Sequence, residues 1–151
     1  LNCMKKIMLL LGVLVVSLGA VNANPGSEEV DARVLGAFKK EFATAKDITW
    51  TLAVNYYQAS FVYNEQHITA YYNTEGELLG VARFISPVDL PLALQADLKK
   101  NYQPYWISNL FEAATSEGTT YYITIEDADQ SIVLKSDNAR DWDQYKKVKK
   151  S

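Results

Sequence analysis

The apolar residues of this chain change their period along the sequence, and that switch restricts the fold more than any other feature. Val30, Val34, Phe38 and Phe42 recur every four residues, with Leu35 beside them. The spacing predicts a helix from about Glu28 to Phe42, capped by Ser27, with Glu28 and Glu29 at its positive end. The period then falls to two. Ile48, Trp50, Leu52 and Val54 alternate with small or polar residues, as do Tyr57, Ala59, Phe61 and Tyr63, and then Ile68, Ala70 and Tyr72. These are three strands with one buried face each. Asn64-Glu65-Gln66 and Asn73-Thr74-Glu75-Gly76 are the turns between strands. Glu77 to Ile85 reads as a fourth strand of less clear phase.

The pattern then restarts. Pro91 stands where a helix tolerates proline, and Leu90, Leu94, Leu98 and Tyr102 again recur every four residues. A strand is expected from about Tyr105 to Ala113. Tyr121, Ile123 and Ile125 form the apolar face of the next, and Ile132 and Leu134 continue it. The tail from Asp141, with Lys146, Lys147, Lys149 and Lys150, reads as a solvated end. Adding 60 to the first helix stripe gives the second, and adding 64 takes Tyr57, Phe61 and Ile68 to Tyr121, Ile125 and Ile132. The fold class is therefore α+β: two tandem repeats of a helix plus antiparallel strands, about 28–86 and 88–140. The economical arrangement is one shared sheet with both helices on one face.

The first 23 residues fall outside that pattern. Lys5 and Lys6 precede an apolar run from Ile7 to Val16, and Val21-Asn22-Ala23 supplies small residues before a cleavage point. That order is a secretory signal peptide, with Met4 as the expected start, and the run is about half of what a membrane span needs. The expected location is periplasmic or secreted, with no membrane span once the signal is removed. Cys3 lies ahead of the apolar run, so the mature 24–151 domain has no cysteine and no disulfide. Removing the signal takes two lysines and no acid, so the net charge goes from −3 to −5. Nucleic acid is a poor partner for such a chain, because binding it needs a basic footprint.

Catalytic chemistry finds few residues to use. His67 is the one histidine, and no elbow-type serine motif accompanies it. Zinc would need several His or Cys ligands. The acidic groups at Glu126, Asp127 and Asp129, and at Asp137, Asp141 and Asp143, depart from the calcium-loop pattern and read as solvated turns. The positive feature is aromatic. Tyr71 and Tyr122 are out of phase with the core residues beside them. With His67, Thr69 and Thr124 they are expected to line the sheet face away from the helices. Tyrosines exposed there would add contact area at low entropic cost.

The helix stripe, "AKDITWTL", "YYQASFVYNEQHITAYYNTEGELLGVARFI" and "DLPLALQADLKKNY" resemble the PepSY-like, beta-lactamase-inhibitor-like family of exported Bacteroidetes proteins. Trp50, the Ala70–Leu79 hairpin and Leu90-Pro91 carry the likeness. It departs from the family after Ser136, where Asn138-Ala139-Arg140 stands in place of an expected glycine. The resemblance implies tandem units making one curved sheet, with an enzyme bound on the open sheet face in the named inhibitors. The expected function is an exported, non-catalytic binding protein without a cofactor. Its partner would be a protein or peptide, an exported hydrolase being the first to test. The alternative is a small-ligand carrier, recognisable by an aromatic-lined pocket of a few hundred Å³.

Overall fold

The computed structural model describes residues 29–150. The expected signal peptide and the Ser27 cap lie outside them. The element order is helix then four strands, twice over: α1 (Ala32–Glu41), β1 (Lys46–Leu52), β2 (Tyr57–Tyr63), β3 (Gln66–Tyr72), β4 (Leu78–Phe84), a 3₁₀ turn at Pro87–Asp89, α2 (Leu92–Asn101), β5 (Trp106–Thr115), β6 (Gly118–Glu126), β7 (Gln130–Ser136) and β8 (Asp143–Lys149). The strands follow chain order in one eight-stranded sheet. Pairing is antiparallel for β1–β2, β2–β3, β5–β6, β6–β7 and β7–β8. The chain divides into two compact units at Val81/Ala82.

In the first unit α1 starts four residues later than its stripe suggests. The carboxylate of Asp31 accepts from the Arg33 backbone N–H at 2.8 Å, and that cap sets the first turn. Lys39 and Lys40 sit in the last turn, where cations suit the helix dipole. Val34 and Phe38 pack on Trp50, Ala59, Phe61, Ala70 and Tyr72, with Phe42 and Tyr63 at the margin. The core-facing residues of β2 and β3 thus fall at the expected positions, although Tyr71 between Ala70 and Tyr72 is buried as well. The alternation of β1 holds only at Trp50 and Leu52: Ile48 and Val54 are exposed, a correction to the expected stripe. A bulge between Lys46 and Thr49, with Asp47 at φ +53°, shifts the phase before Trp50. Val54 lies beyond the end of β1.

Gly76 closes the β3–β4 turn at φ +87°, and a Cβ there would stand 3.1 Å from the Arg33 carbonyl carbon and oxygen. Gly76→Ala is expected to cost about 1–3 kcal/mol, from left-handed strain and crowding against α1 together. A urea midpoint checks it, and an unchanged midpoint contradicts the close approach.

The second unit buries Leu90 and Leu94 against Leu110, Ile123, Ile125, Ile132 and Leu134. The expected solvated tail is exposed along nearly all its side chains, but it forms a strand, β8, paired along β7. Trp142, just before it, is buried in the same cluster, where its Nε1–H donates to the Leu94 carbonyl at 3.2 Å and its backbone N–H to Asp97 Oδ2 at 3.2 Å. The lysines hid this strand from a hydrophobicity reading, yet charged side chains are what a sheet's outermost strand tolerates best.

Candidate functional site

The site expected from sequence is the strand surface that α1 and α2 leave uncovered, and its residues are set by register. In the first unit Thr49 opposes Ser60 and Ser60 opposes Thr69. Thr51 opposes Gln58 and Gln58 opposes Tyr71, while Val62 opposes His67. Side chains directly opposite each other share a face, so these rows are the alternate set to the Trp50–Phe61–Tyr72 core. The surface is rich in hydroxyls: Ser60 Oγ and Thr69 Oγ1 lie 3.4 Å apart, and Gln58 Nε2 donates to Ser60 Oγ at 3.5 Å. His67 is exposed and Thr69 half-buried.

Tyr71 is on the expected face but is only 3% exposed, which corrects the expectation of an open tyrosine. Its ring lies 6.1 Å from that of Tyr56, in the β1–β2 turn. Burial, and then the neighbouring Tyr56, push the Tyr71 hydroxyl pKa well above its ordinary value.

The second unit carries the stronger arrangement. Tyr122 opposes Phe111 on β5 and Lys135 on β7, and half-buried Thr124 opposes Asn109 and Val133. Tyr122 is likewise only 3% exposed, the second correction at this site. Its ring stacks on Phe111 at 5.0 Å and 14°, and meets Tyr145 edge-on at 6.1 Å and 84°. Phe111 in turn meets Phe84 edge-on at 6.3 Å. Four rings thus form a rib across the strands. Its middle is buried, while Phe84 is 70% and Tyr145 45% exposed. The register explains Tyr145. Val133 pairs with Lys146 and Leu134 with Gln144, so Tyr145 is the extra residue of a bulge, which re-aims its side chain.

Charge borders the rib. Lys135 Nζ pairs with Asp137 Oδ2 at 2.7 Å, and Thr120 Oγ1 donates to Asp137 Oδ1 at 2.7 Å. Burial, and then Asp137 and Tyr145, raise the Tyr122 hydroxyl pKa. At the far end of β5 half-exposed Trp106 lies under the Lys150 ammonium at 4.8 Å, and that ammonium also binds Glu126 Oε2 at 2.6 Å and the Asp127 carbonyl at 2.9 Å. Lys150, and then Ser108, hydrogen-bond the Glu126 carboxylate and hold its pKa below the usual range.

The acidic turns have structural employment. Asp127 Oδ1 accepts from the N–H groups of Asp129 at 2.9 Å and Gln130 at 2.8 Å, closing the β6–β7 turn. Asn138 Oδ1 accepts from the N–H groups of Arg140 at 2.8 Å and Asp141 at 3.2 Å, which orders the turn where a glycine was expected. Among the described residues no group of three or more His, Cys, Asp or Glu is placed to hold a metal ion, and no helix is long and apolar enough to cross a membrane.

The sequence reading named Tyr71, Tyr122, His67, Thr69 and Thr124, and register sets all five on the strand face alternate to the core. The reading missed Phe84, Phe111 and Tyr145. Phe84 lies in the strand of unclear phase, and Tyr145 in the segment read as a tail. Phe111 could have been found by pairing β5 with β6 around Ser116-Glu117-Gly118, which sets it opposite Tyr122.

No family model matches the chain, and no curated protein matches it. Solved structures do. A BLIP-like protein from Bacteroides fragilis aligns with a TM-score of 0.69 and 17% identity, covering 80% of this chain and 88% of that one. A protein of Bacteroides eggerthii, provisionally described as periplasmic, gives 0.71 and 16%, again over 80% and 88%. A DUF2874 family protein from Bacteroides uniformis gives 0.70 and 14%, over 79% and 88%. At these identities the likeness is one of fold.

Proposed function

We propose that this chain is an exported, non-catalytic binding protein that docks a protein or peptide through the aromatic rib of its second unit. The observation that carries the reading is the form of the rib. Phe84 and Tyr145 are large rings held open at the two ends of a stack whose middle is packed and rigid. Preformed aromatic anchors of this kind dominate binding energy at protein interfaces. The BLIP-like and DUF2874 neighbours share the fold, and the amino-terminal segment reads as an export signal. Together they favour an envelope partner, and an exported hydrolase is the first class to test. The same reading takes the two helix-and-four-strand halves as copies of one ancestral unit.

The test uses Phe84→Ala with Tyr145→Ala, since both side chains are exposed and their loss leaves the core intact. A partner recovered from an envelope fraction and then purified should bind the double variant at least about thirtyfold more weakly, the scale of one strong anchor lost. Far-ultraviolet circular dichroism should not change. Equal affinity for both proteins contradicts the proposal. Tyr71→Ala and Tyr122→Ala are the wrong probes, because removing buried rings disturbs packing first.

A further inference from the structure

A cavity of about 320 Å³ lies beside α2 in the second unit, lined among others by Val88, Leu98, Tyr102, Ile107 and Ile125. It is separate from the rib. Its origin is visible in the other half of the chain. In the first unit Phe38 and Phe42 of α1 pack on Phe61, with ring centroids 4.9 and 4.7 Å away, and Phe42 meets Tyr63 at 5.5 Å. Sixty residues on in the helix, and 64 on in the strand, Leu98 stands for Phe38, Ile125 for Phe61 and Asp127 for Tyr63. Smaller aliphatic groups replace two rings. The carboxylate replacing the third turns away to the backbone N–H groups of Asp129 and Gln130. Of the helix rings only that of Phe42 has an aromatic counterpart, Tyr102, and it lines the cavity.

The lining is mostly apolar: Ile125 is fully buried, whereas Val88 and Ile107 leave 78% and 41% of their surface exposed. Lys99 is the one charged residue among those that line it; the carboxylates of Asp97 and Asp143 act on Tyr102 from outside the lining. The volume is at the small end for ligand sites and matches roughly ten water-sized groups. We infer that this cavity binds a small amphipathic acid: an unbranched or aromatic apolar body of about ten carbons with one anionic head paired to Lys99. Tyr105 fits such a site. Its hydroxyl accepts from Gln130 Nε2 at 2.9 Å, which leaves its own proton to donate.

The test is calorimetric titration of the whole mature chain with decanoate below its micellar concentration, with decyltrimethylammonium as the same tail of opposite charge. Decanoate should give a saturable one-site isotherm, and decyltrimethylammonium at least tenfold weaker binding. Leu98→Phe, which copies the first unit's own filling, should weaken decanoate at least tenfold while the melting temperature holds or rises. Should that variant fold poorly, Ile107→Phe at the exposed lip should also weaken decanoate. Lys99→Glu should cost decanoate tenfold and not weaken the cationic amphiphile. Absence of a saturable decanoate isotherm, or equal binding by both filled variants, overturns the inference. Equal affinity for the two amphiphiles overturns the anionic head. Binding to phosphatidylglycerol vesicles without binding to free decanoate also overturns it. Phe84→Ala with Tyr145→Ala should leave decanoate binding unchanged, so this cavity and the rib stand or fall separately.

Discussion

Replacing Phe38 by alanine is expected to cost about 3–5 kcal/mol of stability, a large share of the ~5–15 kcal/mol that holds a typical domain folded. Phe38 is almost fully buried, and it is the hub of the first unit's core. Its ring meets Phe42 at 5.5 Å, Trp50 at 5.2 Å, Phe61 at 4.9 Å and Tyr72 at 6.5 Å, the last three edge-on. Two losses add. The apolar area of one phenyl ring returns to water on unfolding in the wild type but not in the variant. The four rings around the vacancy also lose dispersion contacts they cannot regain, because they are fixed to three different strands and to the residue that caps the end of α1. Phe38→Leu, the residue the second helix carries at the matching place, should recover about half the loss. Guanidinium titration followed by tryptophan fluorescence measures both variants. A loss under about 1 kcal/mol for alanine would mean that the aromatic cluster repacks freely, contrary to its edge-on geometry.

Alkaline pH should unfold the chain steeply. Three buried tyrosines have hydroxyl pKa values raised well above the ordinary value of about 10. For Tyr71 the cause is burial and then Tyr56. For Tyr72 it is burial, then the hydrogen bond its O–H donates to Glu41 Oε2 at 2.9 Å and the charge of that carboxylate. For Tyr122 it is burial, then Asp137 and Tyr145. Above about pH 10 the unfolded chain gives up these protons while the native chain keeps them. The unfolded state then binds fewer protons, so stability falls as pH rises. Their contribution is intact below the unfolded value and is lost as pH climbs toward the folded ones. Each tyrosine adds a slope of about 1.4 kcal/mol per pH unit, so the three together approach ~4. Tyrosinate absorbance should rise in two stages, exposed tyrosines first and these three only with loss of structure. Tyr72→Phe should flatten the alkaline limb by about a third. A single titration of all ten tyrosines in a chain that stays folded would contradict this.

How legible the fold was depended on how regular each element is. The stripes of both helices were readable because Val34 and Leu94 sit at their centres and face nothing but core. Strands β2, β3, β6 and β7 were readable because their pairing is regular, so the apolar residues of the helix-side core keep a period of two even where Tyr71, Tyr122 and Val133 are buried on the other side. Where the backbone departs from regularity the pattern fails, as at the Asp47 bulge in β1, which leaves Ile48 exposed. The last strand was invisible for another reason: its side chains mostly meet solvent, and only Trp142 before it reports on the core. For the site, strand register sets Tyr71 and Tyr122 on the side alternate to the helix-packed core. Accessibility is not a property of side-chain parity. Tyr122 is covered by Phe111 and Tyr145, which come from other strands, one of them through a bulge, and no local pattern announces that meeting.

Trp142 also bears on the order in which the molecule can assemble. Its indole binds the carbonyl of Leu94, 48 residues earlier in the chain. The first half can complete its own interior as soon as Tyr72 has been made, whereas the second cannot seal until translation has run well past β7. During synthesis there is thus an interval in which the first core has all its members and the second still lacks Trp142 over Leu94, Ile123 and Leu134. Shortening the chain ahead of Trp142 would make that interval permanent.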